Sequence, residues 1–99
     1  MNDLEKAALY MGYREIKEGV YLKPIGYSCL MIHVDEFRIA SIFKANGEFH
    51  VWSSLDYEKD LSIEAYVSLI KGFETYNLYS GEEETSFEFI TPEQLYLCN

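Results

Sequence analysis

Two turn dipeptides set inside one long β-rich stretch constrain this chain more than any other feature. Residues 27–54 read YSCLMIHVDEFRIASIFKANGEFHVWSS. Apolar and β-branched runs are interrupted at Asp35-Glu36 and again at Asn46-Gly47. Asn-Gly is the strongest short hairpin signal, because both residues tolerate positive φ. Two-residue loops then fix a register. Val34 faces Phe37, Ile32 faces Ile39, Leu30 faces Ser41, Phe43 faces His50, and Ser41 faces Trp52.

Alternation sorts these side chains onto two faces. One carries Leu30, Ile32, Val34, Phe37, Ile39, Phe43, His50 and Trp52, and is the expected core face. The other carries Cys29, Met31, His33, Arg38, Ala40, Ile42, Lys44, Phe49 and Val51. It is more apolar than a solvated face, so a helix of this chain or another molecule is expected to cover it.

The flanking segments supply helices. Asn2 followed by Glu5 reads as a capping box, with Leu4, Ala7, Ala8 and Met11 at helical spacing and Gly12 as a stop. This predicts a helix from Asp3 to Met11. REIKEGVYLKP reads as two short extended pieces around Glu18-Gly19, closed by Pro24 and Gly26. Asp60 or Ser62 can cap a second helix carrying Ile63, Tyr66, Val67, Ile70, Phe73 and Asn77 on one stripe. Gly72 weakens that helix by about 1 kcal/mol and marks a bend or an early end, with Gly81 the final stop. TSFEFI alternates as a last strand, and Thr91-Pro92-Glu93-Gln94 is a well-formed start for a short helix through Leu97.

The fold expected is α+β: a mostly antiparallel sheet of four to six strands with two or three helices, in the order α-β-β-β-β-α-β-α, with one further short strand early. Ninety-nine residues, without repeats or a linker, make a single small acidic domain, 1–99. Two cysteines do not make a disulfide framework, the N-terminal segment lacks a basic, apolar signal pattern, and CLMI is far too short to span a bilayer. A cytoplasmic protein with reduced thiols is the expectation.

Charge is placed unevenly. Residues 1–55 carry seven acids and six bases, whereas residues 56–99 carry ten acids and two bases, with no Lys or Arg after Lys71. Direct binding to nucleic-acid phosphates is disfavoured, since that affinity comes from Lys and Arg displacing counterions. Anionic membranes are disfavoured for the same reason. A basic protein partner, or solubility alone, accounts for such an asymmetry.

The usual chemical signatures are missing. Cys29 and His33, four apart on one strand, would lie roughly 13 Å apart, too far to share a zinc ion. There is no CxxC, HxxxH or HExxH, no GxSxG, and no phosphate-binding glycine loop. No metal and no cofactor is expected, and catalysis is not expected. Asp56, Glu58 and Asp60 alternate before the second helix, and Glu82, Glu83, Glu84 and Glu88 follow it. A straight helix of about sixteen residues spans roughly 24 Å and holds the two groups apart.

These readings converge on a non-catalytic interaction module that binds a basic partner protein through Glu82, Glu83, Glu84 and Glu88. One concrete form is an inhibitor encoded by a phage or mobile element, presenting carboxylates where phosphates would sit on a nucleic-acid-binding protein. The alternative is a homodimeric structural or assembly subunit joined through the second sheet face at Met31, Ile42, Phe49 and Val51.

Overall fold

The computed structural model describes residues 1–78 and the backbone of Phe87–Glu88. The elements, in chain order, are α1 (Asp3–Tyr10), β1 (Arg14–Lys17), β2 (Val20–Ile25), β3 (Ser28–His33), β4 (Arg38–Ala45), β5 (Glu48–Asp56), α2 (Ile63–Tyr76) and β6 (Phe87–Glu88). Strands β1 to β5 form one antiparallel meander in sequence order. The pair of short extended pieces around Glu18-Gly19 is the β1–β2 hairpin. β6 pairs Glu88 with Lys44 and Phe87 with Ala45. β5 already occupies the other side of Lys44 and Ala45. β6 therefore fills the edge of β4 that β3 vacates beyond Phe43. This is an α+β fold, as its alternation and caps predict.

The β3–β4 register is the expected one, with Ile32 opposite Ile39 and Leu30 opposite Ser41, but the ladder ends at His33–Arg38, so the expected Val34–Phe37 pair lies in a four-residue turn instead. Phe43 faces His50 across the Asn46-Gly47 turn, where both residues adopt positive φ, 55° and 78°. The expected pairing of Ser41 with Trp52 does not form. A bulge between Ser41 and Ile42 pairs Ser41 with Ser53 and Ile42 with Val51, leaving Trp52 as an extra residue. An inserted residue breaks the two-residue alternation. Trp52 and His50, expected on the core face, are exposed.

Both helices lie on the expected core face. Leu4, Ala7 and Ala8 of α1 and Tyr66, Ile70 and Phe73 of α2 pack with Tyr21, Leu30, Ile32, Val34, Ile39 and Tyr57. Burying each large aliphatic side chain stabilises by about 1.5–3 kcal/mol. α1 is capped by Asn2, whose side chain accepts from the Glu5 amide, and ends at Met11 with Gly12 at φ 89°. Only glycine takes that left-handed position without strain. α2 is capped by Ser62 rather than Asp60, and it runs through Gly72 to Tyr76. Burial of Ile70 and Phe73 on either side outweighs the propensity cost at Gly72. The helix expected over Thr91–Leu97 lies outside the described residues.

The second face has its own apolar cluster. Val20, Leu22, Cys29, Met31 and Ile42 are buried there, with Ile16 and Phe49 packed against them. No residue of α1 or α2 belongs to this cluster. Among the described residues no helix is long and apolar enough to cross a membrane.

Candidate functional site: an acidic pole

A meander brings alternate connections to the same end of the sheet. The β1–β2 turn, the β3–β4 turn and the exit of β5 therefore share one pole. Side chains then fasten both helix N-termini to it. Asn2 Nδ2 donates to the Val34 carbonyl at 3.0 Å while its Oδ1 accepts from the Glu5 amide at 2.8 Å. The same side chain caps α1 and pins it to the β3–β4 turn. The Tyr57 amide donates to the Phe37 carbonyl at 2.6 Å. The Tyr66 hydroxyl donates to the Glu58 carbonyl at 2.7 Å and accepts from the Leu61 amide at 3.4 Å.

Two non-glycine residues here hold left-handed backbone, Phe37 at φ 54° and Asp60 at φ 64°. Asp tolerates this conformation, whereas for a bulky residue such as Phe it is unusual. The Phe37 ring packs at 6.2 Å from that of Tyr66, and its carbonyl is used by Tyr57, so packing and hydrogen bonding hold the strained turn. Between the pieces lies an open hollow of about 260 Å³ lined by Asn2, Asp3, Phe37, Asp60, Leu61 and Tyr66. Its floor is aromatic and its rim carries two carboxylates.

The charge around this hollow is one-sided. Asp3, Asp35, Glu36, Asp56, Glu58, Asp60 and Glu64 are all exposed. On the same segments stand three side-chain cations, Lys6, Arg38 and Lys59, each already engaged. Lys6 lies 3.9 Å from Asp3. Arg38 Nε bonds Asp56 Oδ1 at 2.7 Å, with its Nη1 3.5 Å from Glu36. The hydrogen bond to Asp56 holds the guanidinium pKa above its ordinary value, and attraction to Asp56 adds to it. Lys59 Nζ sits 5.9 Å above the Phe37 ring, a cation–π contact. The neighbouring β1–β2 hairpin adds Lys17 and Glu18, one of each sign.

The pole includes Asp56, Glu58 and Asp60 and joins them to Asp3, Asp35, Glu36 and Glu64, which sequence reading left out. The available signal was topological: all four lie at element ends, and an up-and-down sheet delivers every second end to one place. Glu82, Glu83 and Glu84 lie outside the described residues. Glu88 has only its backbone described, opposite Lys44 at the far end of β4 from Arg38. Six residues of strand separate those ends by roughly 20 Å.

Met31, Ile42 and Phe49 are brought together in the second-face cluster, Met31 and Ile42 buried and Phe49 half-buried. Val51, paired with Ile42, is 65 % exposed. Cys29 is buried in the same cluster, and desolvation pushes its thiol pKa up to about 12. His33 Nε2 lies 3.0 Å from Met31 Sδ, and His50 stacks on Phe43 with centroids 5.1 Å apart. Among the described residues no three of His, Cys, Asp and Glu converge to hold a metal ion. Compared with protein-family models, with curated proteins and with solved structures, the chain matches none.

Proposed function

We propose that this chain is a non-catalytic interaction module that binds a basic protein partner through the acidic pole. The observation that carries the reading is the balance at that pole: seven exposed carboxylates on the segments around a hollow lined by Phe37 and Tyr66, with Lys6, Arg38 and Lys59 tied to carboxylates or to a ring and Lys17 of the adjoining hairpin matched by Glu18. Such a surface attracts lysine- and arginine-rich surfaces and speeds their encounter in a salt-dependent way. An inhibitor encoded by a phage or mobile element, holding carboxylates where a nucleic-acid-binding protein expects phosphates, is one specific form. A reducing, cytoplasmic setting fits the free, buried thiol of Cys29.

The test uses a fluorescent lysine-rich peptide and the full chain at low and moderate salt. Two variants with equal charge change separate the candidate sites. D35N/E36Q/E58Q should weaken binding by about three- to tenfold, and E82Q/E83Q/E84Q should weaken it less. A larger loss in the second variant would move the site to the glutamate run. Absence of binding at low salt would sink the basic-partner reading itself.

A further inference from the structure

We infer that the outer edge of β5 is a docking edge for an extended segment of the partner, apolar in its centre and basic at both ends, which adds as a further strand to the sheet. The inference rests on the basic-partner reading and names how that partner is gripped. The two edges of the meander are built differently. β1 is four residues long, and three of them, Arg14, Glu15 and Lys17, are charged. A short, charged strand is how sheets guard an edge against pairing. β5 is nine residues long, and its centre, VWSSL, has neither charge nor proline. Among the described residues no strand pairs with its outer side.

The exposed apolar groups of β5 locate the binding feature. Val51, Trp52 and Leu55 are 65 %, 52 % and 46 % exposed. Val51 faces Ile42 on the second face, whereas Leu55 faces Ile39 on the core face. A ligand on either face would meet one of them and miss the other. What they share is the edge, where an added strand covers residues above and below the sheet alternately. The bulge at Trp52 twists this edge, so the added strand must match that twist, which gives selectivity.

Charge decides between occupants. The apolar centre is flanked by Glu48 at one end and Asp56 at the other, the latter entering the acidic pole. A second copy, itself at −9, would bring Glu48 of one chain towards Asp56 of the other in an antiparallel pair. A strand with lysines at both ends meets Glu48 at one end and, at the other, Asp56 and Glu36, two carboxylates that share the single charge of Arg38.

The experiment titrates isotope-labelled full chain with two synthetic peptides of identical charge. One alternates valine and threonine between terminal lysine pairs, and the other has prolines replacing the central residues. The expected result is binding of the extended peptide only, with amide-exchange protection along β5 and a blue shift of the single tryptophan, Trp52. Affinity should fall about tenfold or more in both V51K and L55K. Both substitutions lie at exposed positions, and circular dichroism checks their fold. Equal binding of both peptides, with β5 amides unchanged, overturns strand addition while leaving the basic-partner reading standing. Binding of neither peptide overturns both. A loss in V51K but not in L55K assigns the site to the second face and overturns the edge. Sedimentation of the wild type alone to a dimer sensitive to both substitutions makes a second copy the occupant, and also overturns the proposal.

Discussion

The Tyr13 hydroxyl donates to Glu74 Oε2 at 2.8 Å, joining the segment after α1 to the last turns of α2. The same carboxylate oxygen receives Lys23 Nζ at 3.1 Å, and Lys23 also donates to the Met11 carbonyl at 2.9 Å. Two donors from distant parts of the chain, Tyr13 and Lys23, thus meet on one largely buried carboxylate, and Lys23 links it to the end of α1. The Lys23 ammonium satisfies an orphan carbonyl at the end of α1 and lies 5.6 Å above the Tyr13 ring. This clasp orients both helices on the sheet, and through them the two N-termini that build the acidic pole.

Glu74→Ala leaves a half-buried ammonium and a buried hydroxyl without their acceptor. The expected loss is about 2–3 kcal/mol, read from urea unfolding. K23M/E74L removes both charges and should recover at least half of it, because the cost lies in the stranded partner more than in the pair itself. A loss below about 0.5 kcal/mol in E74A, typical of an exposed ion pair, would show that the clasp holds nothing.

Stability should fall in alkali, because three buried tyrosines resist ionisation in the folded chain. Burial first, then the hydrogen bond to Glu74, raises the Tyr13 pKa. Burial likewise leads for Tyr21, whose hydroxyl also bonds Glu5, and for Tyr57. In the unfolded chain a tyrosine ionises near 10, and the folded state resists that ionisation. Between the two values the native state holds more protons, so stability is complete below about pH 10 and declines above it. Tyrosinate absorbance followed against pH should rise together with loss of the circular-dichroism signal for these buried rings. Ionisation of all nine tyrosines at about pH 10 with the fold intact would contradict the buried assignment.

Much of the fold was legible because alternation and turn chemistry agree over residues 27–54. Ile32 and Ile39 pair as their pattern requires, and Asn46-Gly47 makes the turn its residues favour. Trp52 was misplaced because an apolar extra residue in an apolar strand leaves no mark in the sequence pattern; only the hydrogen-bond register reveals the bulge. The acidic pole was half legible. Asp56, Glu58 and Asp60 are adjacent in sequence, but Asp3 and Asp35 join them only through topology. The Lys23–Glu74 contact spans 51 positions and pairs two residue types common on any surface, so nothing local announces it.

The two helix caps should differ in cost. Among the described residues Ser62 Oγ accepts only from the Ala65 amide, at 3.1 Å in an exposed setting. Asn2 caps α1 and also donates to the Val34 carbonyl. Ser62→Ala should cost about 1 kcal/mol and Asn2→Ala about 1.5–2 kcal/mol. Thermal unfolding of the two variants checks the order. N2A should also weaken binding of the basic peptide, since Asn2 lines the hollow and positions α1 beside it, while S62A should leave the β3–β4 turn undisturbed.

Cys29 gives a direct reading of whether the second face stays closed. Its side chain is fully buried between strands β2 and β4, opposite Pro24 and Ile42. Desolvation moves its pKa from 9.0 to about 12. Near neutral pH that shift alone lowers the thiolate fraction by about a thousandfold, before any steric block. In a C98S background, native chain should therefore react with an aromatic disulfide reagent at a rate set by opening of the face, and unfolded chain at the rate of a free thiol. Protection should fall with added urea in parallel with global unfolding if the cluster of Val20, Leu22, Met31 and Ile42 opens only when the domain does. If instead Cys29 reacts rapidly in native buffer while the helix signal is unchanged, the second face opens independently of the core, and the apolar surface it uncovers is available for association.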